Sequence, residues 1–297
     1  ITNSLFQVLL AKRMGKKNLI CESGAGQHYS ATAAVAAKFG IPLIGVMGEV
    51  DIKRVNQNII KAKHYGAKLK AVPGTLKEAI TDAIKTWITN PDYYYVCVIA
   101  VSSFPFPKIV QFAQSIIGRE IREQCLEQEK KLPNMIIGCV GGGSNFIGSI
   151  HEFLDETSIK KIGVEAAETA ALTHGTPNIM QGMKSYMLAS SDGSKSLGGS
   201  SLGAGIQYFG VGPQHSYLKD QGAVTYTSAT DKEILNAYKV VAQSEGISSA
   251  LEPMAAAAEV LKQAKGKPKD FIIVLSLCGR GEKDLDTIEE HMGKDFE

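Results

Sequence analysis

The sequence predicts an α/β protein: two three-layer α/β domains with mostly parallel sheets and a ligand site in the crevice between them. Three observations carry this. Short apolar runs alternate with longer helical segments along the whole chain, the pattern of parallel strands joined by crossover helices. Two glycine-rich loops, at residues 22–28 and 141–145, each follow a strand and open a helix, one in each half. Open sheets of this kind bind ligands beyond the carboxyl ends of their strands.

The strand-like runs are residues 18–21, 43–47, 69–72, 94–100, 135–140, 162–165 and 271–277. Helical segments fall between them at 30–39, 51–65, 76–89, 107–128, 145–153, 231–245 and 253–264. The 297 residues suit two medium domains, and 44% hydrophobic residues with 21% charged ones predict a sizeable core. The expected boundary lies near residue 115. It gives an N-terminal domain of residues 1–115, with a mobile subdomain of about 15–100, and a C-terminal domain of residues 116–297. Residues 190–201 read as an exposed loop. Residues 1–10 read as the middle of a helix, so an N-terminal portion is expected before Ile1.

A net charge of +2 without a basic patch gives nucleic-acid binding no support. The five cysteines are scattered, with no C-x-x-C. They read as buried, reduced, small hydrophobes of a cytoplasmic protein. No run approaches the roughly 20 apolar residues of a membrane span.

The first loop reads Glu22-Ser23-Gly24-Ala25-Gly26-Gln27-His28. Its small residues let backbone amides face an anion at a helix start. Glu22 sits at the strand end, where an acid or base can meet a ligand held by its carboxylate; taken singly, it also reads as a surface glutamate. The second loop reads Gly141-Gly142-Gly143-Ser144-Asn145. It matches neither G-x-x-x-x-G-K-[ST] nor a clean G-x-G-x-x-G, so a nucleotide fingerprint is lacking; it reads as a phosphate cradle or as a plain glycine turn with a serine cap. The run from Leu275 to Asp284 reads as a buried strand ending in a glycine turn, with Ser276 and Cys278 on one face. Residues 203–215 are too glycine-rich for a regular element and read as a long shaped loop. His28, in the first loop, and His215, at the end of the 203–215 loop, are the histidines nearest these loops, without metal-ligand spacing.

Together these residues resemble the tryptophan synthase β-chain family of pyridoxal-phosphate (PLP) enzymes, fold type II. The matching segments are 9–15, 22–28, 140–145, 212–218, 245–252 and 279–284, and the resemblance covers nearly the whole chain. It implies a lyase that replaces the hydroxyl of L-serine with indole, through an aminoacrylate intermediate, to give L-tryptophan and water. Carried over by position, Glu22 is the catalytic carboxylate. Ser23, Gly24, Ala25, Gly26, Gln27 and His28 bind the substrate carboxylate, with Gln27 also beside the cofactor ring. Gly141, Gly142, Gly143, Ser144 and Asn145 hold the phosphate, with Gly205, Glu252 and Cys278 as further cofactor contacts. Carbonyls of Tyr208 and Gly210 fall at the family's monovalent-cation site (Na or K). The family also implies a homodimer and an α-chain partner that supplies indole; Lys77 matches a segment near that interface, and reads equally as a solvated helix lysine.

Four departures stand out. The family's Schiff-base lysine falls immediately before Ile1. Gln207 replaces the acid that pairs with an arginine on closure, the arginine position being Arg54. Residues 100–107 depart from the family's version of a loop lining the indole path. Cys278 stands where serine usually meets the pyridine nitrogen; a thiol is a weaker donor but stays neutral. Two other readings remain open from the residues: another fold type II enzyme, serine dehydratase or cysteine-synthase-like, and a non-catalytic homologue acting as a binding subunit.

Overall fold

The computed structural model describes residues 1–53, 56–180, 182–190 and 197–296. The chain divides into two compact units, Ile1–Val98 and Ile99–Glu297. The sequence-based boundary near 115 falls inside a helix of the second unit, Phe106–Gln128. Arg54 lies outside the described residues, as does half of the 190–201 loop, residues 191–196.

The first unit runs α1 (Thr2–Arg13), β1 (Asn18–Glu22), α2 (Gln27–Phe39), β2 (Leu43–Gly48), α3 (Glu49–Ile52), α4 (Asn56–His64), β3 (Lys68–Val72), α5 (Leu76–Thr89) and β4 (Tyr93–Tyr95). Its sheet is wholly parallel, in the order β3-β2-β1-β4. Leu19 and Cys21 of β1 pack with Tyr29, Ala33 and Ala36 of α2 and with Val8 of α1. α5 lies against β1, β2 and β4 and buries Ala79, Ile80 and Ala83. A fully buried isoleucine such as Ile80 contributes roughly 1.5–3 kcal/mol.

The expected strand over 94–100 stops at Tyr95. The Val96 amide still reaches the Ile20 carbonyl of β1, and from Cys97 onward side chains take over the backbone's bonds. Gln7 on α1 donates to the Cys97 carbonyl (2.8 Å) and accepts from the Cys97 amide (3.0 Å), while Asn3 donates to the same carbonyl at 2.9 Å. These bonds account for buried polar residues on α1. The single helix expected over 51–65 is two, α3 and α4.

The second unit runs α6 (Phe106–Gln128), β5 (Met135–Cys139), α7 (Ser144–Ile150), β6 (Lys160–Ala166), α8 (Ala171–His174), β7 (Thr176–Met180), β8 (Met183–Met187), α9 (Pro213–Asp220), β9 (Thr225–Ala229), α10 (Asp231–Glu245), α11 (Leu251–Gln263), β10 (Ile273–Leu275) and α12 (Leu285–Met292). The main sheet is parallel, β10-β5-β6-β9, and β7 and β8 form a separate antiparallel pair. The strand period of two divides the core. Met135, Ile137 and Cys139 of β5 join α10 and α11 on one face, and Ile136 joins Phe146 and Ile147 of α7 on the other. Helices thus cover both faces, the three-layer arrangement the alternation predicts.

Two expectations are corrected in this unit. The tail strand β10 is an edge strand, only half-buried, and ends at Leu275. Residues 203–215 are not one loop: a 3-10 turn, Ala204–Ile206, and helix α9 occupy its two ends. Proline at the first position of α9 presets its backbone angle, which offsets the glycines before it. Among the described residues, no helix is long and apolar enough to cross a membrane.

Candidate active site

Glu22 is the last residue of β1 and is fully buried. Its Oε1 accepts the Val98 amide at 3.2 Å, and the Tyr95 hydroxyl bonds to the same carboxyl group. Oε2 has no hydrogen-bond partner among the described residues. Burial raises its pKa to about 7, against the pull of Tyr95 and Val98. A carboxyl half-protonated near neutrality, with one oxygen uncommitted, can both give and take a proton.

The loop after Glu22 enters α2 through Gly26, in the left-handed region at φ +73°. Asn58 on α4 holds this turn by donating to the Ala25 carbonyl at 2.9 Å, and Ser23 donates its amide to the Val46 carbonyl. The first-turn amides of a helix find no acceptor inside it, so α2 offers donors at this end. The His28 ring meets the Val96 carbonyl at 3.0 Å, and burial lowers its pKa to about 4. At neutral pH that ring is uncharged, and anion binding here falls to backbone amides.

In the second unit, β5 runs straight into the glycine loop. Gly143 has φ +91° and starts α7; a Cβ there would lie 2.2 Å from the His215 ring. The loop's carbonyls are taken from behind. Gly212 donates to Gly142, and His215 Nε2 lies 2.7 Å from the Gly143 oxygen. Facing a carbonyl, Nε2 must carry the proton, so Nδ1 accepts from the Tyr226 hydroxyl at 2.8 Å. Burial lowers the His215 pKa to about 4, which keeps this neutral tautomer. Fully buried and stacked on Phe146, His215 is a brace for the loop. No described residue accepts a hydrogen bond from the amides of Gly141, Gly142 or Gly143. Three such amides ahead of a helix start are donors for a phosphate.

The remaining expected residues gather around this loop. A Cβ on Gly141 would lie 3.0 Å from the Gly205 carbonyl oxygen. Gly205 spends its amide on Glu252 Oε1 at 2.7 Å, so its carbonyl is what it can offer a ligand. Glu252, in the first turn of α11, pairs through the same oxygen with Lys283 Nζ at 2.8 Å, while its Oε2 has no hydrogen-bond partner among the described residues. Lys283 also pairs with Asp284 at 2.6 Å. Burial opposes the lysine's charge, but the two carboxylates outweigh it and raise its pKa. Ser276 donates to Asn145 Oδ1 at 2.8 Å, which ties the tail to the loop. Cys278 instead meets Cys139, with sulfurs 3.7 Å apart. Beyond Leu275 strand alternation no longer applies, so Ser276 and Cys278 contact different groups. Gln207, half-buried, follows the 204–206 turn. Tyr208 is buried, and Gly210 bridges to Met187. Among the described residues, no group of three or more His, Cys, Asp or Glu could hold a metal ion.

Several participants were not legible in the sequence. Tyr95 and Val98 reach Glu22 through strand pairing and the irregular segment after β4. Asn58, Tyr226 and Cys139 act from elements distant in sequence. Glu165 on β6 is buried, with its pKa raised to about 7 by burial; it accepts the Leu172 and Thr173 amides and so anchors α8.

Residues 2–279 match the family model described as pyridoxal-phosphate dependent enzyme. The chain belongs to this family. It is 46% identical to a tryptophan synthase beta chain of Allorhizobium ampelinum (strain ATCC BAA-846 / DSM 112012 / S4), over 99% of this chain and 75% of that protein. It is therefore a homologue of tryptophan synthase β chains. Among solved structures, a mutant O-ureido-L-serine synthase with O-ureido-L-serine bound aligns with a TM-score of 0.70 over 97% of this chain and 81% of that one. At 18% identity this likeness concerns the fold alone. The family's cofactor fits the residues present: the three uncommitted amides of Gly141, Gly142 and Gly143 suit a phosphate.

Proposed function

We propose that the chain catalyses β-replacement of L-serine by indole, giving L-tryptophan and water. The observation that carries this reading is Glu22: a buried carboxyl with a pKa raised to about 7 and one uncommitted oxygen, at the mouth of an amide-lined loop. The relative's name supports the choice of reaction.

In this reading the amides of Gly141 to Gly143 and the side chains of Ser144 and Asn145 hold the phosphate of PLP. Gly205 and Glu252 complete its surroundings, and Cys278 meets the ring nitrogen. PLP, when bound, supplies an electron-withdrawing ring that stabilises negative charge at the substrate α-carbon. A thiol at this place, unlike a carboxylate, would leave that nitrogen unprotonated, which would favour replacement at the β-carbon. The amides of residues 23–28 hold the serine carboxylate, with Gln27 beside the ring. Glu22 gives its proton to the serine hydroxyl, which leaves as water. The carboxylate so formed takes the proton from the indole nitrogen as C3 attacks. Positioning and exclusion of water are the protein's other contributions.

Gln207 stands among the substrate contacts as a neutral acceptor, weaker than the charged acid the family has at this position. The Tyr208 and Gly210 carbonyls hold a monovalent cation. The protein is a homodimer, and an α chain supplies indole. The Schiff-base lysine occupies the position immediately before Ile1. Borohydride reduction of the full-length protein with PLP, followed by peptide mapping, is expected to label that lysine. A label at any other lysine overturns the mechanism.

A further inference from the structure

Two of the five cysteines lie together at the candidate cofactor site. Cys139 ends β5, just before the glycine loop, and is buried; Cys278 follows β10, the strand paired with β5, and is half-exposed. Their sulfurs are 3.7 Å apart. The other three, Cys21, Cys97 and Cys125, are buried.

We propose that Cys139 and Cys278 form a thiol-oxidation site: a peroxide converts the pair to a disulfide in the cofactor-free chain, and bound PLP protects it. The crosslink rests on the geometry alone. The protection rests on the proposed reading that Cys278 faces the cofactor ring.

The order of steps follows from exposure. The Cys278 sulfur attacks one peroxide oxygen, the O–O bond breaks, and sulfenic acid and water form. The Cys139 sulfur then attacks the Cys278 sulfur. The S–O bond breaks, the S–S bond forms, and hydroxide leaves with the Cys139 proton as a second water. Each sulfur loses one electron, and the peroxide gains two. Cys139 is the slower of the two towards peroxide, since its hydrogen bond to Cys278, then burial, raise its pKa and keep it protonated, and it is shielded from solvent; its resolving role rests on its sulfur lying 3.7 Å from that of Cys278. The sulfurs must close by about 1.7 Å to bond. Cys278 lies past the end of an edge strand and next to Gly279 at φ +76°, outside regular structure. Oxidation removes both S–H groups, so the ring nitrogen loses its donor.

The test exposes cofactor-free and PLP-loaded protein to hydrogen peroxide, then quenches, alkylates in denaturant and maps the peptides. The expected result is a Cys139–Cys278 linked peptide in the cofactor-free protein, formed about tenfold more slowly with PLP bound. Cys278→Ser should leave Cys139 alkylatable. Five free thiols after treatment of the cofactor-free protein would overturn the site. So would Cys278 oxidised to the sulfinic acid beside a free Cys139. A crosslink at the same rate with and without PLP would keep the dithiol but overturn the protection and, with it, the placing of Cys278 at the ring.

Discussion

Glu22 ties a burial effect to a measurable pH dependence. Its folded pKa, about 7, is raised above the ordinary 4.5 by burial. Between these values the folded state holds a proton that the unfolded state has lost. Folding stability therefore falls as pH rises through this window and levels off above it. Glu22→Gln does not titrate, so its stability relative to the parent should improve on the order of 3 kcal/mol from pH 4.5 to above 7. Glu165 titrates alike in both proteins and cancels. Chemical denaturation across this pH range checks the claim, and a constant offset between the two proteins would contradict it. The same substitution should lower turnover about 100-fold or more, the usual worth of a positioned acid or base. Gln207 supplies a second residue-scale prediction. Gln207→Asp, which restores the family's acid at this position, should lower KM for L-serine; unchanged serine kinetics would count against a substrate role for residue 207.

At the scale of elements, the junction from β5 into α7 depends on α9 and β9. His215 and Tyr226 brace the glycine loop from behind. His215→Phe keeps a ring against Phe146 but leaves the Gly143 carbonyl and the Tyr226 hydroxyl without partners. The expected cost is about 2–4 kcal/mol of stability, with weaker PLP binding. A thermal melt and a PLP titration measure both, and unaltered PLP affinity would refute the brace. Which elements were legible follows from local chemistry. α5 and α10 appear at the bounds read from sequence because each starts with a capping box, Thr75 with Glu78 and Thr230 with Glu233. β9, Thr-Tyr-Thr-Ser-Ala, was missed because it is a half-exposed edge strand without an apolar run. The β7 and β8 pair was missed because Pro177, Asn178 and Lys184 break the apolar pattern. β4 was read too long because strand-like bonding ends at Val96, whose amide reaches Ile20 of β1, and Cys97 is then held by Gln7 of α1.

At the scale of the whole molecule, each unit carries one half of the proposed chemistry. Ile1–Val98 holds Glu22 and its amide loop, and Ile99–Glu297 holds the phosphate loop, Glu252 and Cys278. Both loops were legible because a strand, a glycine-rich turn and a helix are contiguous in sequence. Their supports were not: Asn58, Tyr95, Tyr226 and Lys283 reach them only through the fold. The most direct test of the central claim is product formation by the full-length, PLP-loaded protein given L-serine with either indole or sulfide. The account predicts L-tryptophan from indole, and a loss of that activity in Glu22→Gln. L-Cysteine from sulfide with no L-tryptophan from indole would contradict it.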